Sequence, residues 1–503
     1  MQLTKIALAC SLAFAAMSAQ AVTTNIPASP ANVVFISGAS GVDSYLTSVA
    51  SNLINVTSYV HDSSNNYRAW YGTTKADIGT GGTKLAAGSN LLIIKRSAGG
   101  SAMGVVPLAR SSKIEVPDWA NAAATLDSGK TNEYTVPVTS AANGLIPDIG
   151  VSDVEPKMFT GFNTEFGYTA LTAAEQATLT ANSWAQLAEG IAVTRAVPDT
   201  AVLSNNFIRE AMDNHIGDWS SVDGSADPVI ICRRIEGSGT QAAYNSYLNG
   251  FPNSAAYYGY GKSLAAVTTD SLGYGAGSGS SAADPILLDP TQGFTVFEGS
   301  GSGDVRKCLQ AAQLGIDTPA LLGRNNLYYK LQFSLVGGPS KAIGVLSLDS
   351  YTSARATGKG TAGTADGYGY AASNADTNGE WNFRFLIGNG TYDVKNQTTT
   401  SATSSGIAPS RANILSSYYD FTVEPTLQYR TTGTTPWVVA FYSQMRTLLG
   451  NPADMEIGSA NNGAPLAYAA LPTLYTKTAT GSTRLVADLT RQGNTTSPLH
   501  VKQ

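Results

Sequence analysis

Val229-Ile230-Ile231-Cys232 leads into Arg233-Arg234-Ile235-Glu236-Gly237-Ser238-Gly239-Thr240, and the octet leads into a segment carrying Ala243, Tyr244, Tyr247 and Leu248. The unbroken apolar run, rich in β-branched residues, predicts a short buried strand. The glycines and hydroxyls predict a tight turn, and the apolar residues after it recur at helical spacing. The same order of strand, turn and helix returns at Val33-Val34-Phe35-Ile36, Ser37-Gly38-Ala39-Ser40-Gly41, and then Val42, Leu46, Val49 and Leu53. A third version is Leu91-Leu92-Ile93-Ile94 followed by Ser97-Ala98-Gly99-Gly100-Ser101. Strands alternating with helices predict an α/β architecture, in which ligands gather at the carboxyl ends of strands where helices begin.

The octet concentrates one kind of chemistry. Its glycines let the backbone approach a ligand, Ser238 and Thr240 offer hydroxyl and main-chain donors, and a helix N-terminus favours negative charge. An arginine adds a rigid fork that meets two oxygens at once, which lysine does not imitate. Taken alone, the octet fits equally an N-capped helix with a structural salt bridge between Glu236 and an arginine.

Composition bounds the compartment. Lys5, the apolar run from Ile6 to Met17 and the small-residue site Ala19-Gln20-Ala21 read as a secretory leader, residues 1–21, cut after Ala21. Cys10 belongs to that leader, and no later segment approaches the roughly 20 apolar residues that cross a bilayer. The mature chain is expected to be periplasmic or secreted. Its formal charge of −5 becomes −6 once Lys5, the only charge in the leader, departs. With charged residues at 13% and no basic patch, nucleic acid is excluded as a partner. Cys232 and Cys308 remain in a compartment that permits a disulfide, and a bridge and two buried thiols are equally compatible with the sequence. His61, His215 and His500 sit in no metal-binding or nucleophile-activating pattern, so neither a metal nor another cofactor is expected.

With these motifs in place, the octet resembles the Arg-Arg-x-Asp-Gly-Ser-Gly-Thr signature of the phosphate-binding proteins of ABC transporters. Ser37 to Val42 resembles that family's first anion loop, Ser97-Ala98-Gly99-Gly100 its second, and Ile149-Gly150-Val151-Ser152-Asp153 its third, where the family carries Gly-Ala-Ser-Asp. Asn206 to Trp219, Lys341-Ala342-Ile343-Gly344-Val345 and Tyr419 to Tyr429 resemble later segments in the same order. The resemblance implies a two-lobed α/β fold of the type 2 periplasmic-binding kind, with loop-rich insertions at Ser111–Asn143, Tyr257–Asp284 and Ala356–Asn378. Residues 22–197 would form most of lobe one, 198–429 lobe two, and 430–503 the return to lobe one. Hinge strands are expected near Gly190–Pro198 and Phe421–Tyr429.

The resemblance further implies that Ser40, Ser97, Asp153, Arg234, Ser238, Gly239 and Thr240 surround a phosphate, with the Gly41 N–H assisting. Glu236 stands where the family has Asp and would orient Arg234 from outside the contact layer. Asp153 would select a proton-bearing anion, because an acceptor-only carboxylate repels a fully deprotonated one. The implied partners are inorganic phosphate or a related oxyanion and an ABC permease. Two other functions are compatible with parts of the sequence. In a hydrolase Ser238 would be the nucleophile, but no base neighbours it in sequence. An assembling surface protein without a transport role would explain the Gly-, Ser- and Tyr-rich insertions.

Overall fold

The computed structural model describes residues 23–198, 201, 203–212, 216–252, 277–348, 350, 381–384, 407, 411–452, 467–475 and 486–501. The leader, His215, most of the Tyr257–Asp284 stretch and all of Ala356–Asn378 lie outside the described residues. Among the described residues no helix is long and apolar enough to cross a membrane.

Two sheets organise a two-lobed α/β chain. The first has nine strands in the order β5 (Thr125–Leu126), β6 (Glu133–Thr135), β2 (Ile54–His61), β3 (Tyr67–Thr74), β4 (Asn90–Arg96), β1 (Val33–Gly38), β7 (Ile149–Ser152), β18 (Thr426–Arg430) and β8 (Leu179–Ser183). The second is built on β12 (Thr295–Gly299), β10 (Ile230–Arg234), β15 (Ala342–Ser347), β9 (Gln186–Thr194) and β16 (Trp381–Phe383), with β17 (Thr422–Val423) and β19 (Tyr468–Ala469) also paired to β9. A small sheet of β11 (Ile286–Leu288), β14 (Tyr328–Leu331) and β13 (Leu321–Leu322) and a pair of β20 (Leu489–Thr490) and β21 (His500–Val501) complete the strands.

The apolar runs become strands because both faces of each central sheet are covered. Along β4, Leu91 and Ile93 enter the main core while Leu92 and Ile94 enter a second cluster on the opposite face, as the two-residue period of a strand requires. Within each sheet the key strands run parallel: β1 between β4 and β7, and β10 between β12 and β15. Their carboxyl ends therefore point the same way in each sheet and deliver the loops after Gly38, Arg96, Ser152, Arg234, Gly299 and Ser347. Cys232 of β10 and Cys308 of the Ser302–Leu314 helix are joined in a disulfide, with their Cα atoms 5.9 Å apart. Trp219 is fully buried against Phe207.

Three boundaries differ from the sequence reading. Ser111–Asn143 is more than a loop: β5 and β6 extend the first sheet, and Ile114, Val116, Ala124, Tyr134 and Val136 are buried in the second cluster. Strands of two and three residues are too short to leave a periodic signal. The chain leaves the first sheet between β8 and β9, at Trp184–Ala185, so Gly190–Thr194 lies inside a strand of the second sheet. Its return between β17 and β18, at Glu424–Pro425, lies within the expected Phe421–Tyr429 segment. The segment after residue 430 is not confined to the first lobe either, since β19 pairs with β9 of the second sheet.

Candidate functional site

A pocket of about 320 Å³ opens where the strand ends of the two sheets meet. Ser40, Gly41 and Asp43 reach it from the turn after β1, Ser97 and Ala98 from the turn after β4, and Ser64 to Asn66 with Arg68 from the β2–β3 hairpin. The second sheet contributes Arg234 from β10, Ser300 to Gly303 and Arg306 from the turn and helix after β12, and Ser347 and Ser350 from the end of β15.

Successive strand residues face opposite sides, and this divides the two arginines of the octet. Arg233 turns away from the pocket, to Glu298, with Nη2 2.9 Å from the carboxylate. Arg234 faces the pocket, only 4% exposed. Its Nη1 donates to Ser302 Oγ at 2.9 Å and its Nη2 to the Ser300 carbonyl at 2.9 Å, while Nε has no partner. No carboxylate pairs directly with Arg234 among the described residues. Burial holds its pKa below the ordinary arginine value, and the largest opposing influence is the charge of Asp153, followed by Asp304.

Glu236 does not orient Arg234. Its carboxylate lies 2.6 Å from Arg324 Nη2, and Arg324 in turn reaches Glu298, so Glu236 closes a chain of ion pairs on the Arg233 side. The parallel register of β10 and β12, which sets Arg233 opposite Glu298, draws the carboxylates to that side.

Ser97 lines the pocket, but its hydroxyl is engaged. It accepts from Lys95 Nζ at 2.6 Å and donates to the Asp43 carboxylate at 2.7 Å. Lys95 is fully buried and lies 3.3 Å from Asp43; burial pulls its pKa down to about 8.

The remaining expected residues sit behind the pocket wall. Asp153 accepts from Ser101 Oγ at 3.1 Å, and its own N–H donates to the same oxygen. Gly239 presses on both: a Cβ there would lie 2.3 Å from Ser101 Oγ and 2.6 Å from Asp153 Oδ2. Ser238 caps the Gly239–Asn249 helix, its Oγ accepting from Gln241 N at 3.4 Å, and Thr240 is buried in the first turn. Asp153 also stands close to Gly41, whose added Cβ would come 3.4 Å from Oδ1. The structure therefore brings Ser40, Gly41, Ser97 and Arg234 to one cavity, and packs Asp153, Ser238, Gly239 and Thr240 into the seam beside it. Across that seam the Ala102 N–H donates to the Gly237 carbonyl at 2.8 Å. Gly100 keeps this approach open: it holds φ +70°, and a Cβ would lie 3.1 Å from Arg234 Nη2.

Asp43, Arg68, Ser101, Ser300, Ser302 and Arg306 escaped the sequence reading. The run Gly299-Ser300-Gly301-Ser302-Gly303 after β12 repeats the strand, turn and helix order and was the available signal. Arg68 and Arg306 carried none, since Arg68 lies within a strand and Arg306, followed by Lys307, within a helix, and neither falls in a glycine-rich turn.

Residues of metal-ligand type meet elsewhere. His61, Asp127 and Glu133 bring their ligand atoms within 4.8 Å of one another at the β2–β5–β6 edge, with His61 Nε2 2.7 Å from Asp127. Parallel pairing of β2 with β6 creates this group, which no sequence spacing foretold. Lys130 and the Thr135 hydroxyl already bond its carboxylates. No histidine or cysteine lines the pocket among the described residues.

No family model matches the chain, and no curated protein matches it. Among solved structures, it is similar to a protein assigned as a phosphate ABC transporter substrate-binding protein, with bound phosphate, from Clostridium perfringens, at 14% identity and TM-score 0.36, over 82% of this chain and 93% of that one. It is also similar to an ABC-type phosphate transport receptor from Vibrio cholerae, at 12% identity and TM-score 0.34, over 82% and 97%. A DING protein is similar at 14% identity and TM-score 0.35, over 92% and 98%. These are likenesses of fold, and no residue's role follows from them.

Proposed function

We propose that this chain is a solute-binding protein that captures phosphate or a similar tetrahedral oxyanion in the pocket beside Arg234. The observation that carries this reading is a buried guanidinium with no direct carboxylate pair among the described residues and an unsatisfied Nε on the wall of a polar cavity. A buried charge is costly unless it is paired, and an anion entering the cavity supplies the pair. Serine hydroxyls and the glycine-flanked turns after β1 and β12 offer further donors on the same wall.

Micromolar capture requires about 8 kcal/mol. Hydrogen bonds to charged groups contribute roughly 1.5–3 kcal/mol each, so five or more donors suffice after ordering costs. The net negative charge of the chain does not oppose this, because donors inside a cleft act at lower effective dielectric than the surface field.

Export by the leader and delivery to an ABC permease complete the reading.

Equilibrium dialysis with radiolabelled phosphate tests it. Saturable binding to the wild-type protein is expected, weakened about 100-fold or more in Arg234→Ala, since a charged partner in a buried site is lost. Binding unaffected by Arg234→Ala, or no binding by the wild-type protein, overturns the reading.

A further inference from the structure

The pocket exceeds the space that one phosphate needs. A tetrahedral oxyanion occupies about two to three water volumes, or ~60–90 Å³ at ~30 Å³ per water. The cavity measures about 320 Å³, the size of a site for a larger ligand. Three guanidiniums, Arg68, Arg234 and Arg306, line it against one carboxylate, Asp43. Asp43 is already matched by buried Lys95 at 3.3 Å and by the Ser97 hydroxyl.

The cations also belong to different elements. Arg234 stands at the end of β10, Arg306 on the Ser302–Leu314 helix, and Arg68 on β3 of the other sheet. Arg68 Nε is buried without a partner, as Arg234 Nε is. Its Nη1 makes only long contacts, 3.4 Å to the Asp43 carbonyl and 3.8 Å to the Asp43 carboxylate. Two guanidiniums with partnerless Nε groups on facing sheets suit two separate tetrahedral groups, each met by an arginine fork.

We propose that the preferred ligand carries two linked tetrahedral anionic groups, the inorganic diphosphate class, with one group at Arg234 and the second toward Arg68. This rests on the oxyanion-binding reading and narrows its ligand class.

Calorimetry in metal-free buffer, with inorganic phosphate and inorganic diphosphate titrated separately into the full mature chain, decides it. Diphosphate is expected to bind at least about 10-fold tighter than phosphate, as one added charge-assisted contact implies. Arg68→Ala is expected to cost diphosphate about 10-fold more than it costs phosphate, with Arg68→Lys intermediate because the fork is lost and the charge kept. Far-UV circular dichroism establishes that the variants are folded, and Arg306→Ala serves as the second variant should Arg68→Ala unfold. Equal or weaker binding of diphosphate, or equal losses for both ligands, overturns this inference and leaves phosphate capture standing. No binding of either anion overturns the underlying reading as well.

Discussion

Glu165 shows how far a single side chain at the seam responds to its surroundings. Its carboxylate packs on Gly237 of the octet, where an added Cβ would lie 2.0 Å from Oε2, and that oxygen is buried without a partner. Burial, with the nearby charge of Glu236 adding to it, pushes its pKa up to about 8. The folded value thus lies above the unfolded one, so the folded protein holds an extra proton between about pH 4.5 and 8. The stabilisation is complete below about pH 4.5 and is lost as pH rises through about 8. Thermal melts of Glu165→Gln are expected to fall less between pH 5 and pH 9 than those of the wild-type protein; parallel slopes would refute the assignment. Gly239→Ala should destabilise by about 1–3 kcal/mol in urea unfolding, the usual cost of overpacking, because Ser101 and Asp153 already fill the space of the new methyl. Unchanged stability would mean that the seam yields freely. At this scale Arg234 was legible in sequence because a glycine- and hydroxyl-rich turn surrounds it. Arg68 was not, because only the pairing of β3 with β4 carries it to the pocket. Glu236 was misread because alternation along β10 sends Arg233 and Arg234 to opposite sides.

Among elements, β10 has the most dependents. It supplies Arg234 to the pocket and Arg233 to the Glu298 and Arg324 ion pairs, and Cys232 ties it to the Ser302–Leu314 helix that presents Ser302 and Arg306. The disulfide closes a loop across a sequence separation of 76 residues, for which chain entropy gives about 4 kcal/mol of stabilisation. Cys232→Ser/Cys308→Ser, or reduction of the wild-type protein, is expected to lower stability in urea by roughly 2–4 kcal/mol. Equal midpoints with and without reductant would show that the bridge does not restrain the unfolded chain. The repeated strand, turn and helix order identified β1, β4 and β10 and their turns from sequence, because continuous apolar runs are what doubly covered strands require. The short β5 and β6 were invisible for the opposite reason: their contacts are made to a distant sheet edge and to a cluster that sequence spacing does not register.

On the scale of the molecule, two sheets meet at their strand ends and the chain crosses between them at Trp184–Ala185 and Glu424–Pro425. The second crossing is clamped by the C-terminal stretch: Glu424 accepts from the Thr490 hydroxyl at 2.6 Å and the Gly493 N–H at 2.6 Å, while Arg491 donates to the Thr422 and Asp420 carbonyls. The α/β class was readable from apolar runs and turns, whereas the first crossing point depends on which sheet β8 and β9 join, a long-range choice that local patterns do not encode. The central claim concerns the place where the two sheets meet, namely that a buried guanidinium with no direct carboxylate pair among the described residues receives a tetrahedral anion there. Its most direct measurement is anomalous diffraction from crystals grown with arsenate, which scatters where phosphate would bind. The account predicts one arsenic peak in the pocket within hydrogen-bonding reach of Arg234 through its oxygens. A pocket without arsenic at saturating arsenate, or arsenic bound only at sites away from Arg234, would contradict it.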